Sequence, residues 1–117
     1  MLIDVHAHLD SEEFSQDLDE VINRAKNKLY CVISNGINPE SNRKVLELTK
    51  KYSIVKAALG IYPLEAEKLN EKEIKQEFEF IKKHKNDIVA LGEVGLDFKY
   101  AQNKELQIQV SNDFISL

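Results

Sequence analysis

The sequence predicts an α/β fold: a parallel β-sheet whose strands alternate with helices, about four βα units in all. Three observations carry this reading. Short apolar runs recur, and each is followed by a stretch with apolar residues at helical spacing. No linker, low-complexity tract or block of like charge separates one unit from the next, so residues 1–117 read as a single domain. The strands are short and largely apolar, as strands covered by helices are.

The units follow in order. "LIDVHAHL" (2–9) is a strand, and "DSEEFSQDLDEVINRAKNK" (10–28) is a helix with Phe14, Leu18, Val21, Ile22 and Ala25 on one stripe. "LYCVISNGI" (29–37) is the second strand. The next helix, 38–53, has Asn38 as its cap, Pro39 at its first position, and Val45, Leu48, Thr49 and Tyr52 on one face. "IVKAALGIY" (54–62) is a third strand, stopped by Pro63. The helical stretch 64–86 contains Asn70 and Glu73 at capping-box spacing, a core stripe of Ile74, Phe78 and Ile81, and a lysine-rich end that complements the helix dipole. "IVALGEVGLDF" (88–98) is a fourth strand, and 103–117 is a last helix with Leu106, Val110, Phe114 and Leu117 at helical spacing. A closed (β/α)8 barrel needs eight such units and about 250 residues. Four units are either half of a TIM-type barrel or a small open sheet, and strand order alone does not choose between them.

Composition narrows the function. The chain is 43% hydrophobic and 31% charged with a formal net charge of −4, which is globular but too acidic for a broad basic nucleic-acid surface. It leaves open an enzyme that grips a polymer through a metal. Cys31 is the single cysteine, so no internal disulfide forms, a buried structural thiol is its simplest role, and a reducing cytoplasm is the expected location. There is no secretory leader and no run of about 20 apolar residues that would span a membrane, so no membrane association is expected.

The polar residues inside the strands carry the chemistry. Strand alternation puts Leu2, Asp4, His6 and His8 on one face, and Ile3, Val5, Ala7 and Leu9 on the other, where they would pack under helices. A single histidine is ordinarily a hydrogen-bonded structural residue. Two at i and i+2 on one strand face, roughly 7 Å apart at the backbone, can converge on one ion. Asp4, one step deeper, would orient a histidine or hold a nearby water. In the fourth strand Glu93 interrupts an apolar run between Gly92 and Gly95. A buried carboxylate there needs a charge partner or a metal, and the two glycines leave room for a ligand or another backbone. His6, His8 and Glu93 together suit a divalent-metal hydrolase site at the strands' C-terminal ends. Tyr62, at the end of the third strand, either bonds a substrate oxygen or sits as an amphipathic residue on the rim. His84, at a helix end, reads as a solvated or dipole-compensating residue. No dinucleotide, P-loop or Ser/His/Asp motif is present.

"LIDVHAHLD", "ALGIYP" and "ALGEVGLDF", in that order and at those separations, resemble the TatD family of metal-dependent deoxyribonucleases, within the amidohydrolase-like barrels. The resemblance spans essentially the whole chain, which is similar to the N-terminal half of a member. It implies that His6 and His8 ligate a metal, that Glu93 is a catalytic carboxylate ligand able to bridge two ions, and that Asp97 shapes the site's edge. The family usually carries histidine where this chain has Tyr62, so a phosphate or metal contact there does not carry over. The implied reaction is phosphodiester hydrolysis in DNA with two divalent ions per complete site; Mg, Mn and Zn are not distinguished by these ligands. The family takes two further histidines and a late aspartate from beyond the fourth strand, so a four-strand piece is expected to be a weak or inactive hydrolase. It would either belong to a longer chain or pair with another copy or a complementing half-barrel. Two other readings stand beside this one: another HxH metal hydrolase, such as a PHP-type phosphoesterase or amidohydrolase, and a non-enzymatic half-barrel remnant.

Overall fold

The computed structural model describes residues 2–117. Four strands, β1 (Leu2–Ala7), β2 (Leu29–Asn35), β3 (Val55–Leu59) and β4 (Ala90–Leu91), pair in chain order, every pair parallel. Parallel neighbours need crossovers, and helices supply them: α1 (Leu18–Lys26), α2 (Pro39–Lys51), then the short α3 (Pro63–Ala66) with α4 (Glu71–Lys83), while α5 (Lys104–Ile115) follows β4. The predicted α/β fold class is the one observed.

The sheet is covered most completely at β3. Val55, Ala57, Ala58 and Leu59 are all buried, and Leu59, Ile61, Val45, Ile74, Phe78, Ile81, Val110 and Phe114 belong to one core that joins β3 to α2, α4 and α5. A second core under α1 gathers Leu9, Ile22, Val32, Tyr52, Ile54 and Val55. Burying a side chain such as Leu59 contributes about 1.5–3 kcal/mol, so these two clusters fix the middle of the sheet.

The edges differ from expectation. Ile3 and Val5 were expected under helices, yet they are 53% and 65% exposed, because β1 is an edge strand and α1 packs beyond it, over β2. Leu91, Leu96 and Phe98 are exposed along and after β4, the other edge. Strand β1 also carries an irregularity: Asp4 pairs with Val32 but Ala7 with Ser34, three residues against two, so it is bulged beside His6.

Three predicted elements are shorter or split. The first helix opens as a separate 3-10 turn, Glu12–Phe14, capped by the Ser11 hydroxyl, and α1 starts only at Leu18; serines and aspartates in this stretch compete for the backbone. The stretch 64–86 divides because Asn70 adopts an extended conformation and closes a capping box with Glu73, which starts α4 afresh. The fourth strand keeps only two residues, since Gly92 follows at once and Gly95 takes φ +135, a left-handed value that ends the extended run. The second helix matches closely: Asn38 accepts from Ser41 N and Pro39 stands at the first position. Among the described residues no helix is long and apolar enough to cross a membrane.

Candidate metal centre

His6 is the penultimate residue of β1, His8 lies one residue past its end, and Glu93 lies two past β4. These strands are the opposite edges of the sheet. In a flat sheet they would stand three strand spacings apart, about 14 Å. Instead His6 Nε2 lies 2.7 Å from Glu93 Oε1 and His8 Nε2 lies 3.1 Å from the same oxygen. The sheet therefore curls, and its curl brings the ends of β1 and β4 together.

The two imidazole Nε2 atoms are 3.3 Å apart, and the rings meet edge to face. Ligands that bind a divalent ion at about 2.0–2.2 Å lie about 3 Å from one another, so this donor spacing suits a shared cation. One ring's tautomer is set by its neighbour. His8 Nδ1 lies 2.9 Å from the carbonyl oxygen of Asn35, which only accepts, so Nδ1 carries a proton and Nε2 is the nitrogen left for a metal. The donor set fits a divalent metal.

The surrounding main chain is fixed by groups that strand alternation does not reveal. Asn35, 5% exposed, donates its amide to the carbonyls of Val5 and Ile33, tying the end of β2 to β1. Buried Ser34 accepts from Leu9 N through its hydroxyl and so fixes the chain just after His8. Gly60 lies so close to β4 that a Cβ there would stand 2.8 Å from Glu93 N and 2.7 Å from Glu93 O. Gly92 packs likewise against Ala58 and Leu59, whereas a Cβ on Gly95 would meet nothing, and that glycine serves the backbone angle. The signals for these residues were present but unremarkable: a polar "SNG" ending an apolar strand, and one more glycine.

The other predicted residues fall at different depths. The Asp4 carboxylate accepts from the main-chain N–H of His6 at 3.1 Å, so it braces the strand rather than a histidine ring. The Tyr62 hydroxyl donates to Asp97 Oδ2 at 2.6 Å. That bond, then burial, then the charges of Asp97 and Glu93 hold the phenol above its ordinary value. Behind Asp97 sits Gln107, 1% exposed, whose Oε1 accepts from Asp97 N while its amide donates to Glu67. His84 caps α4 and pairs with Asp87 at 2.9 Å, away from the cluster. Cys31 is a buried free thiol.

A cavity of about 590 Å³ opens over the cluster, lined by His6, His8, Asp10, Glu13, Tyr62 and Glu93 among others. It includes three carboxylates and no lysine or arginine.

A curled run of parallel βα units with two histidines and a carboxylate at the strands' C-terminal ends defines a barrel-type metal-hydrolase architecture. Residues 3–117 match the family described as TatD related DNase, and the chain belongs to that family. It is 34% identical over 115 residues to the uncharacterized metal-dependent hydrolase MJ1582 of Methanocaldococcus jannaschii, covering 98% of this chain and 45% of that one. It is 30% identical over 122 residues to the human deoxyribonuclease TATDN3, covering 93% of this chain and 44% of the relative. The crystal structure of YjjV, a TatD homologue from Escherichia coli K12, superimposes with a TM-score of 0.84 at 28% identity, over 98% of this chain and 45% of that chain. The chain thus spans a little under half the length of these relatives, and its fold is half of a TatD-type TIM barrel.

Proposed function

We propose that this chain furnishes the first half of the active site of a metal-dependent hydrolase that cleaves phosphodiester bonds in DNA. The observation that carries the reading is the convergence of donor atoms from His6, His8 and Glu93, all within 4.8 Å of one another, in a TatD-family chain. A deoxyribonuclease among the relatives supports DNA as the substrate. His6 and His8 would hold an ion through their ring nitrogens, and Glu93 through its carboxylate.

Divalent ions bound here would lower the pKa of water and neutralise charge on the phosphate. The chain's own residues set up that role. Asn35 holds His8 in its donating tautomer, Gly60 and Gly92 let β4 approach β3, and Glu93 presents its carboxylate to both imidazoles. Asp10, Glu13 and Glu93 make the cavity wall acidic with no lysine or arginine lining it, so a phosphodiester is repelled until cations enter. Metal dependence then extends to substrate binding as well as to chemistry.

The exposed residues Ile3 and Val5 on β1, and Leu91 at β4, mark unpaired edges that a complementing half-barrel, in the same polypeptide, a second copy or another chain, would cover. A free buried thiol fits a cytoplasmic setting. Titrating the protein with Mn2+ by calorimetry, then assaying linear DNA with and without the ion, tests the proposal. Saturable binding lost in His6→Ala supports it. Absence of any metal binding would sink it.

A further inference from the structure

Tyr62 lines the metal cavity, and the one proton of its hydroxyl is already committed. The bond to Asp97 is 2.6 Å, short and charge-assisted, and the groups behind Asp97 leave it little freedom to let go. Asp97 N is held by Gln107 Oε1 at 2.9 Å, and the same buried amide donates to Glu67 Oε1 at 2.7 Å. Glu67 Oε2 in turn accepts from Gln102 N at 3.0 Å, pinning the far side of the loop that carries Asp97. The pair is therefore preorganised, with Tyr62 as donor and Asp97 as acceptor.

What remains for a ligand is the lone pair of the Tyr62 oxygen, next to a carboxylate. A phosphate oxygen brought to that point finds an acceptor and a negative charge. It would have to take the proton from Asp97 to bind. A group with its own O–H or N–H finds a ready acceptor with no competition. The lining of the cavity argues the same way, since it is rich in carboxylates and has no lysine or arginine to favour an anion on this wall.

We infer that Tyr62 and Asp97 form an acceptor pair that selects phosphoesters bearing, on the same sugar as the phosphate, a hydrogen-bond donor, a hydroxyl or an amine. The inference rests on the phosphoester reading above and adds the polarity of one specificity contact. It assigns Tyr62 to the neighbour of the phosphate and leaves the phosphate itself to the metal side of the cavity.

The test uses three nucleoside 5′-monophosphates that differ only at the sugar 3′ position: hydroxyl, amine and hydrogen. Each is titrated calorimetrically into the Mn2+-loaded chain. The hydroxyl and amine forms are expected to bind about 10-fold tighter than the 3′-deoxy form, and their ranking tells which donor the pair prefers. In Tyr62→Phe the ratio falls to about one. In Asp97→Leu it also narrows, because the phenol proton loses its acceptor and is released toward the ligand. Equal affinity of all three for the wild-type chain, or an unchanged ratio in Tyr62→Phe, overturns the inference while leaving the phosphoester reading intact. Failure of every phosphate to bind the metal-loaded chain overturns both. Thermal melts of each variant accompany the titrations; a fall in melting temperature with an unchanged ratio assigns the pair to structure alone and also overturns the inference.

Discussion

The Nδ1 atom of His8 sits 2.9 Å from the carbonyl oxygen of Asn35, which joins a loop residue after β1 to the last residue of β2. The carbonyl points there because the Asn35 side chain is itself anchored to Val5 O and Ile33 O. Asn35→Ala should free that carbonyl and let the imidazole turn. The expected result is about a 10-fold or greater loss of Mn2+ or Zn2+ affinity, in line with other outer partners of metal-bound histidines. Calorimetric titration measures it, and an unchanged affinity would show that His8 needs no such brace.

Glu93→Gln separates charge from shape. The amide keeps the volume of the carboxylate but loses the negative charge that both imidazoles face. A ligand at 100 times its dissociation constant stabilises the folded state by about 2.7 kcal/mol. Excess metal should therefore raise the melting temperature of the wild-type chain by several degrees and leave Glu93→Gln nearly unmoved. A full shift in the variant would remove Glu93 from the metal centre.

Gly60→Ala tests how the carboxylate is aimed. A Cβ at Gly60 would stand 2.7–2.8 Å from the main-chain O and N of Glu93, and backbone has little freedom to retreat. Overpacking of this kind costs about 1–3 kcal/mol. The expected outcome is loss of that order in urea denaturation together with weakened metal binding, since the displaced segment carries Glu93. Normal stability with normal metal affinity would show that β4 moves freely.

Much of this arrangement is legible in the sequence, and the exceptions have physical causes. Parallel βα order, the caps at Asn38 and Asn70, and the polar pair His6 and His8 all arise from local chemistry with fixed spacing. What strand alternation misses is long-range. The bulge in β1 is a matter of register against β2, and the exposure of Ile3 and Val5 depends on which strand lies at the edge. Asn35 and Gly60 are informative only once their neighbours are known. Gln107 lies among the apolar positions of α5 as a buried amide, a pattern that signals a partner without naming Asp97.

The loop from Asp97 to Asn103 should loosen in acid. The Gln102 N–H holds the Glu67 carboxyl below its ordinary value of 4.5, the Asn103 N–H and the Gln107 amide act in the same direction, and burial opposes them. A carboxyl lowered in the folded state contributes stability above 4.5 that is lost as pH falls through the lower folded value. The protection of the Gln102 amide against exchange, followed by NMR below pH 5 relative to the intrinsic rate at each pH, should fall along that titration. Glu67→Gln should flatten the dependence; an identical profile in the variant would assign the loosening to other groups.

Turnover by the chain alone is the sharpest discriminator between metal binding and catalysis. The described residues bring three ligands together and place no further carboxylate or histidine within the same cluster. Metal-bound water needs a positioned acceptor for its proton, and Asp10, a half-buried carboxylate on the cavity wall, has Oδ2 engaged with the Ser41 hydroxyl at 2.5 Å and Oδ1 enclosed by protein without a partner. We therefore expect the purified 117-residue chain to bind Mn2+ yet degrade DNA at least 100-fold more slowly than the human deoxyribonuclease TATDN3, assayed side by side. Solution mass measured on the same samples shows whether any activity follows a dimeric species. Robust turnover by a monomer would mean that three ligands and one half of the barrel suffice.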